Sequence, residues 1–181
     1  MRPEALIPAA AAVLLASAAL AAVPSPNLGK PVTAAGVAAI DISIAPDGRG
    51  LPPGSGTVEQ GAAIFAAKCQ ACHGANGAGG PNDRLTGGVG SLASAKPVKT
   101  VASYWPYATT LFDYVRRAMP ITAPQSLTND EVYALAAYLL SVDSIVPKEA
   151  RLDAASLPKV QMPNRAGFVS WEPKERPQAG R

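Results

Sequence analysis

The chain has 181 residues, a formal net charge of +3 and 48% hydrophobic residues. That is enough for one domain with a real core and too little for two comfortable ones. The charge is mild and the basic residues are scattered rather than clustered with aromatics, which excludes a nucleic-acid partner.

Residues 1–21 read as a signal peptide. Arg2 is followed by an uncharged run of Ala, Leu and Val from Ala9 to Val23, and Ala19-Leu20-Ala21 fits the small-x-small pattern cut by signal peptidase. An uncleaved anchor is the alternative, because the run is about the minimum length that spans a bilayer. Both readings export the remainder. Nothing after Val23 is apolar enough to cross a membrane, so no stable insertion is expected once the signal is removed, and the expected location is the periplasm.

Residues 22–56 are studded with Pro and Gly and should form an extended N-terminal arm, with a short helix in Thr33 to Ile42. A first long helix is expected from Thr57, where Thr57 and Gln60 make a T-x-x-Q capping box. Val58, Gly61, Ala62, Phe65 and Cys69 then fall on one face, so the helix ends at Cys69. Residues 74–103 lack periodicity and read as a long functional loop. Tyr107 to Ala118 is expected to be a second helix with Leu111, Tyr114, Val115 and Ala118 facing inward, stopped by Pro120. The last helix follows Thr128, which forms a capping box with Glu131, and Val132, Leu135, Ala136 and Leu139 repeat at helical spacing. Residues 147–181 are a Pro-rich tail, poor in apolar clusters, expected to drape over the surface or onto a partner.

The chemistry concentrates in Cys69-Gln70-Ala71-Cys72-His73, which holds both cysteines and the only histidine. A disulfide between Cys69 and Cys72 would close a tiny loop and stabilise little. A thioredoxin-like pair belongs on a βαβ unit, and no strand pattern precedes Cys69. Structural zinc needs four ligands, and this cluster is one short. C-x-x-C-H is the pattern of c-type haem attachment: each thiol adds to a vinyl group of the porphyrin, and the adjacent imidazole becomes the proximal iron ligand. On this reading Gly74, Gly77, Gly79 and Gly80 let the chain press against the flat macrocycle.

With Met1 removed in the signal, the remaining methionines are Met119 and Met162. Met119 lies at a helix end before Pro120, where a bend can aim its thioether at iron; its plain alternative is core packing. Met162 sits in the Pro-rich tail and reads better as a docking or packing residue. The free ring N–H of His73 should donate to a carbonyl, with Pro81 as candidate. Tyr104 and Trp105, and nearby Tyr107, are candidates to donate to haem propionates, with ordinary packing as their alternative. His/Met ligation leaves no open iron position and favours electron transfer over catalysis.

Together these residues resemble class I cytochromes c. Gly61 and Phe65 precede the first haem cysteine as in that family, where they pack on a C-terminal helix at positions matched by Leu135 and Tyr138. Pro81 matches the proline whose carbonyl meets the proximal histidine, and Met119 the axial methionine. The segments Gly79 to Gly88 and Pro97 to Leu140, with PDGRGLPPGSGTVEQGAAIF and LPKVQMPNRAGFV, are similar to the cytochrome c subunit of periplasmic molybdenum sulfite dehydrogenases. They are equally similar to the C-terminal haem domain of the sulfane dehydrogenase cytochrome. That cytochrome commonly carries two haem domains, and the single CxxCH here favours the sulfite type.

The resemblance implies an all-α class I cytochrome c fold around one covalent haem c, with a haem domain at 57–146 between arm and tail. It implies an electron-transfer subunit rather than an enzyme. A molybdopterin subunit would oxidise sulfite or a sulfane sulfur and pass electrons singly to this haem, which would reduce a downstream cytochrome. A free-standing periplasmic shuttle and a thiol-disulfide oxidoreductase using Cys69 and Cys72 are the competing readings. Lys96, Lys99, Arg116 and Arg117 are candidate contacts to acidic groups on the partner, against the plain reading of a solvated basic face.

Overall fold

The computed structural model describes residues 28–169, so the expected signal peptide and the last residues of the tail lie outside the described part. The chain divides into two units, Met1–Asp41 and Ile42–Arg181. In the first, helix α1 (Ala34–Ile40) starts at Thr33, whose hydroxyl accepts from the Gly36 N–H at 3.1 Å.

The second unit contains strand β1 (Ser55–Thr57), helices α2 (Val58–Lys68), α3 (Gln70–His73), α4 (Val101–Tyr104), α5 (Ala108–Ala118) and α6 (Asn129–Val142), and strand β2 (Arg151–Asp153). Three short 3-10 turns complete the described residues. The described residues are mostly helical, as expected of the class I cytochrome c fold that the resemblance implies, with one small strand pair besides. β1 and β2 pair antiparallel with Gly56 opposite Leu152, a long-range contact that local sequence patterns do not reveal.

Both long capping boxes form. The Thr57 hydroxyl accepts from the Gln60 N–H at 3.2 Å while the Gln60 amide oxygen accepts from the Thr57 N–H at 2.9 Å. Thr128 and Glu131 repeat the arrangement at the start of α6. Glu131 also receives Lys68 Nζ at 2.5 Å, tying the end of α2 to the first turn of α6. That bond, ahead of the cap, holds the Glu131 carboxyl below the usual range.

The core lies where α5 and α2 meet α6. Phe65, Phe112, Val132, Tyr133, Leu135 and Leu140 are all at most 2% exposed, and burying each such side chain is worth roughly 1.5–3 kcal/mol. Phe112 and Tyr133 pack with their rings tilted by 47° and centroids 4.5 Å apart. The Tyr133 hydroxyl donates to the Pro52 carbonyl at 2.9 Å, and burial, aided by the nearby Asp153 charge, pushes its pKa up to about 12.

Much of the arm and tail belongs to this core. Asp113 accepts from the Ile44 N–H at 3.1 Å and Asp130 from the Ser55 N–H at 2.7 Å, so residues 42–56 are stitched onto α5 and α6. In the tail, Leu152, Leu157 and Met162 are buried. The expectation of a tail poor in apolar clusters and draped over the surface or a partner is corrected for the described residues: average composition hides three apolar anchors spaced among prolines and polar residues. Tyr114, also expected to face inward, is 48% exposed.

The α2–α6 contact is the most extensive helix pairing of the fold. A Cβ at Gly61 would run into the Ala134 carbonyl and the Tyr138 Cβ, so only glycine permits this approach. Four residues on, Phe65 packs against the Tyr138 ring at 5.3 Å. Gly61→Ala is expected to force the helices apart and destabilise the fold by about 1–3 kcal/mol or more, measured by denaturant unfolding. Unchanged stability would mean that the contact is looser than described.

Candidate functional site

Helix α2 closes at Cys69, whose N–H donates to the Phe65 carbonyl at 2.9 Å. The backbone breaks from helical geometry there and resumes in the single turn α3. Cys72 and His73 both donate their N–H to the Cys69 carbonyl, at 3.1 and 3.0 Å. One turn therefore carries two thiols three positions apart, on neighbouring parts of its surface, with the imidazole next in line.

Those three residues line a cavity of about 560 Å³. Its walls are mostly apolar: Phe65 from α2, Leu85 from the loop, Val101 from α4, Leu111 and Val115 from α5, and Leu135 and Leu139 from α6. Met119, Trp105 and Pro81 line the same cavity, and Tyr114 and Ile121, 48% and 69% exposed, belong to its lining as well. The structure thus brings together Cys69, Cys72, His73, Pro81, Trp105 and Met119, residues drawn from separate parts of the chain.

Met162 is 3% exposed within the hydrophobic core and does not line the cavity. Tyr104 also stands apart from it. Its ring lies against Phe168, with centroids 5.2 Å apart, and under Lys99 Nζ at 5.0 Å, in a second hollow. The expected role of Tyr104 at the cofactor is corrected on that geometry. Tyr104 ends α4, the chain turns extended at Trp105, and the two adjacent rings are sent to different hollows. Tyr107 is likewise outside the cavity lining and lies under the Arg165 guanidinium.

His73 Nδ1 lies 2.8 Å from the carbonyl of Asp83. Pro81 was the expected acceptor; it lines the cavity, and the bond is made two residues later. The loop explains the shift. The Asn82 N–H donates to the Cys72 carbonyl at 2.9 Å and the Gly79 N–H to the His73 carbonyl at 2.8 Å, folding the loop back over α3 and bringing Asp83 to the ring. With the proton on Nδ1, Nε2 keeps its lone pair and is the ring nitrogen free to bind a metal.

The glycines of this loop serve its own backbone. Gly74 has φ +74°, and a Cβ there would meet the Gly79 carbonyl; a Cβ at Gly80 would meet the Cys72 carbonyl at 2.8 Å. None of Gly74, Gly77, Gly79 and Gly80 lines the cavity. The expectation that they press on a macrocycle gives way to a tight loop that aims Asp83 at His73.

The electrostatics argue against a reactive dithiol. Burial pushes the Cys69 thiol up, offset in part by Lys68, whereas a redox-active cysteine has its thiolate stabilised. The two cysteines are not bridged to each other. Of the basic residues expected to meet a partner, none lines the cavity, and Arg117 is held by Asp113 at 2.8 Å. The basic residue at the cavity is Lys68, beside Cys69. Among the described residues no cluster of three or more His, Cys, Asp or Glu is placed to hold a bare metal ion, and no helix is long and apolar enough to cross a membrane.

A roomy apolar hollow, two thiols on one turn, an imidazole with its far nitrogen fixed and a thioether in the same wall fit a large flat metal macrocycle attached through sulfur. These features define a c-type haem protein whose work is electron transfer. The family model for Cytochrome c matches residues 58–143. The structure is similar to a chain of the crystal structure of the sulfane dehydrogenase SoxCD from Paracoccus pantotrophus. Identity is 41% over 80% of this chain and 72% of that chain, with a TM-score of 0.73. No curated protein matches the chain. The chain belongs to the cytochrome c family and binds covalently attached haem c.

The placement of the two methionines separates their roles. Met119→Ala is expected to abolish the low-spin His/Met spectrum and lower the reduction potential. Met162→Ala is expected to keep the spectrum while costing about 2–5 kcal/mol of stability. A normal spectrum in the Met119 variant would move the ligand elsewhere.

Proposed function

We propose that this protein is the electron-transfer subunit of a periplasmic molybdenum dehydrogenase that oxidises sulfite or a sulfane sulfur, and that it hands the electrons to a downstream cytochrome. The observation that carries this reading is the 41% identity to a chain of the sulfane dehydrogenase SoxCD, extending over 72% of that chain. The similar run from Pro97 to Leu140 supports it independently of CxxCH, because it spans α4, α5 and α6 rather than the attachment turn alone.

In this reading the chain's residues divide the work simply. Cys69 and Cys72 would tether the haem through thioethers, and His73 Nε2 and Met119 Sδ would hold its iron. The Asp83 carbonyl fixes the His73 ring and raises its basicity. The walls formed by Phe65, Val101, Leu111, Val115, Leu135 and Leu139 would keep water from the iron. Trp105 contributes its ring to the same wall, and the edge of that ring meets Tyr114 at 5.7 Å. A bound haem would supply an iron that gains and loses one electron, and bond-making would belong to the partner. Sulfite and water yield sulfate, two protons and two electrons at the molybdenum subunit, and this chain takes those electrons one at a time. Residues 1–21 are the export signal that brings the chain to the compartment where haem is attached.

Mixing the ferric protein with the molybdenum subunit from its own host and sulfite is expected to bleach the ferric and develop the ferrous spectrum within the turnover time of the subunit. A carrier-bound sulfane sulfur that reduces the haem where sulfite does not would assign the sulfane branch. No reduction by either substrate, with the haem still reducible by dithionite, would contradict the proposal.

A further inference from the structure

Several polar side chains with no part in holding the cofactor gather around the loop between His73 and Gly87. Thr86 is 6% exposed, and its hydroxyl donates to the Asn76 carbonyl at 2.9 Å. The Tyr138 hydroxyl of α6 donates to the side-chain oxygen of the same Asn76, also at 2.9 Å. Two hydroxyls from distant parts of the chain thus converge on one residue. Asn76 has φ 55°, a left-handed conformation that asparagine tolerates better than most residues with a Cβ.

The limb that carries Asp83 is built on this point. Gly77, next to Asn76, is buried, and its carbonyl accepts from the N–H groups of Leu85 and Thr86 at 2.8 and 3.2 Å. Asp83 lies two residues before Leu85, and its carbonyl is the group 2.8 Å from His73 Nδ1. Past Thr86 the limb is tied to α6 again: the Gly87 N–H donates to both carboxylate oxygens of Asp143, the residue that closes the helix, at 2.8 and 3.0 Å. The Tyr138 ring is itself steadied against Phe65 at 5.3 Å, and burial pushes its hydroxyl pKa up, so it stays a donor.

We propose that Tyr138 and Thr86 are positioning residues for the iron ligand: acting through Asn76, they hold the Asp83 carbonyl on His73 Nδ1, so that α6 sets the reduction potential. This rests on the functional reading above, in which His73 holds the haem iron, and deepens it. An imidazole that donates a firm Nδ1 hydrogen bond is the more basic ligand and favours the more highly charged ferric state. Loosening that bond raises the potential. Leu135 and Leu139 of the same helix line the cavity, so one element shapes both the wall of the site and the basicity of its ligand.

The test uses the full-length, haem-loaded protein, with redox titration and NMR of the ferrous form. Tyr138→Phe and Thr86→Val are both neutral changes that keep the shape of the side chain and remove a hydroxyl. Each is expected to speed hydrogen exchange of the His73 ring N–H at least about tenfold, as the loop opens more often. Each is also expected to raise the equilibrium constant for reduction at least about threefold, a positive shift of about 30 mV at about 59 mV per tenfold for one electron. The matched control is Tyr133→Phe, which removes a hydroxyl bond of the same length, to the Pro52 carbonyl, from the same helix. It is expected to lower the melting temperature while leaving potential and ring exchange at wild-type values. Unchanged potential and exchange in Tyr138→Phe and Thr86→Val, or equal shifts in Tyr133→Phe, overturn the positioning roles and leave the functional reading standing. His73 ring protons that show no porphyrin ring-current shift in the wild-type protein overturn His73 as ligand, and this inference with it.

Discussion

The approach of α2 to α6 at Gly61 is the constraint on which the site depends. Backbone meets backbone there, because the missing Cβ lets the Ala134 carbonyl and Tyr138 come close, and Phe65 then locks on the Tyr138 ring. Cys69 is the next turn along α2, so the angle of this contact sets where the first thiol points. The Lys68–Glu131 ion pair fixes the same junction from its outer side. A small change at Gly61 would therefore be felt both in stability and in the aim of Cys69 at the cavity.

From that junction the site is assembled by backbone hydrogen bonds more than by side chains. The carbonyls of Cys72 and His73 accept from the loop that folds back over them, and the loop returns the Asp83 carbonyl to the imidazole. Asn76 adopts a left-handed conformation and takes a hydrogen bond from the Tyr138 hydroxyl, joining the loop to α6. Loop, attachment turn and the two packed helices thus behave as one unit. The arm from Ile42 and the tail through Met162 enclose the core from outside, by strand pairing and by three buried apolar side chains.

What was legible in the sequence was local. Capping residues at Thr57 and Thr128 mark the starts of two long helices to within a residue, and α5 begins one residue after its expected start. The attachment turn was legible because its chemistry needs residues adjacent in sequence. What escaped depends on contacts between distant segments. The β1–β2 pair, the burial of Leu152 and Leu157, and the placing of Tyr104 away from the cavity have no local signature. Helix α4 lay hidden in a stretch without periodicity, although Thr100 and Ser103 form its cap. Asp83 could not be distinguished from Pro81, because the choice of carbonyl is made by the path of a glycine-rich loop and not by either side chain.

The decisive feature is a macrocycle tethered by Cys69 and Cys72 in the cavity that His73 shares with Met119. Intact-mass measurement of the chain exported from a host that attaches haem c, combined with thiol titration in denaturant, tests this most directly. The expected result is the mass of the polypeptide plus one haem with no titratable thiol. A polypeptide of unmodified mass with both thiols free would contradict it.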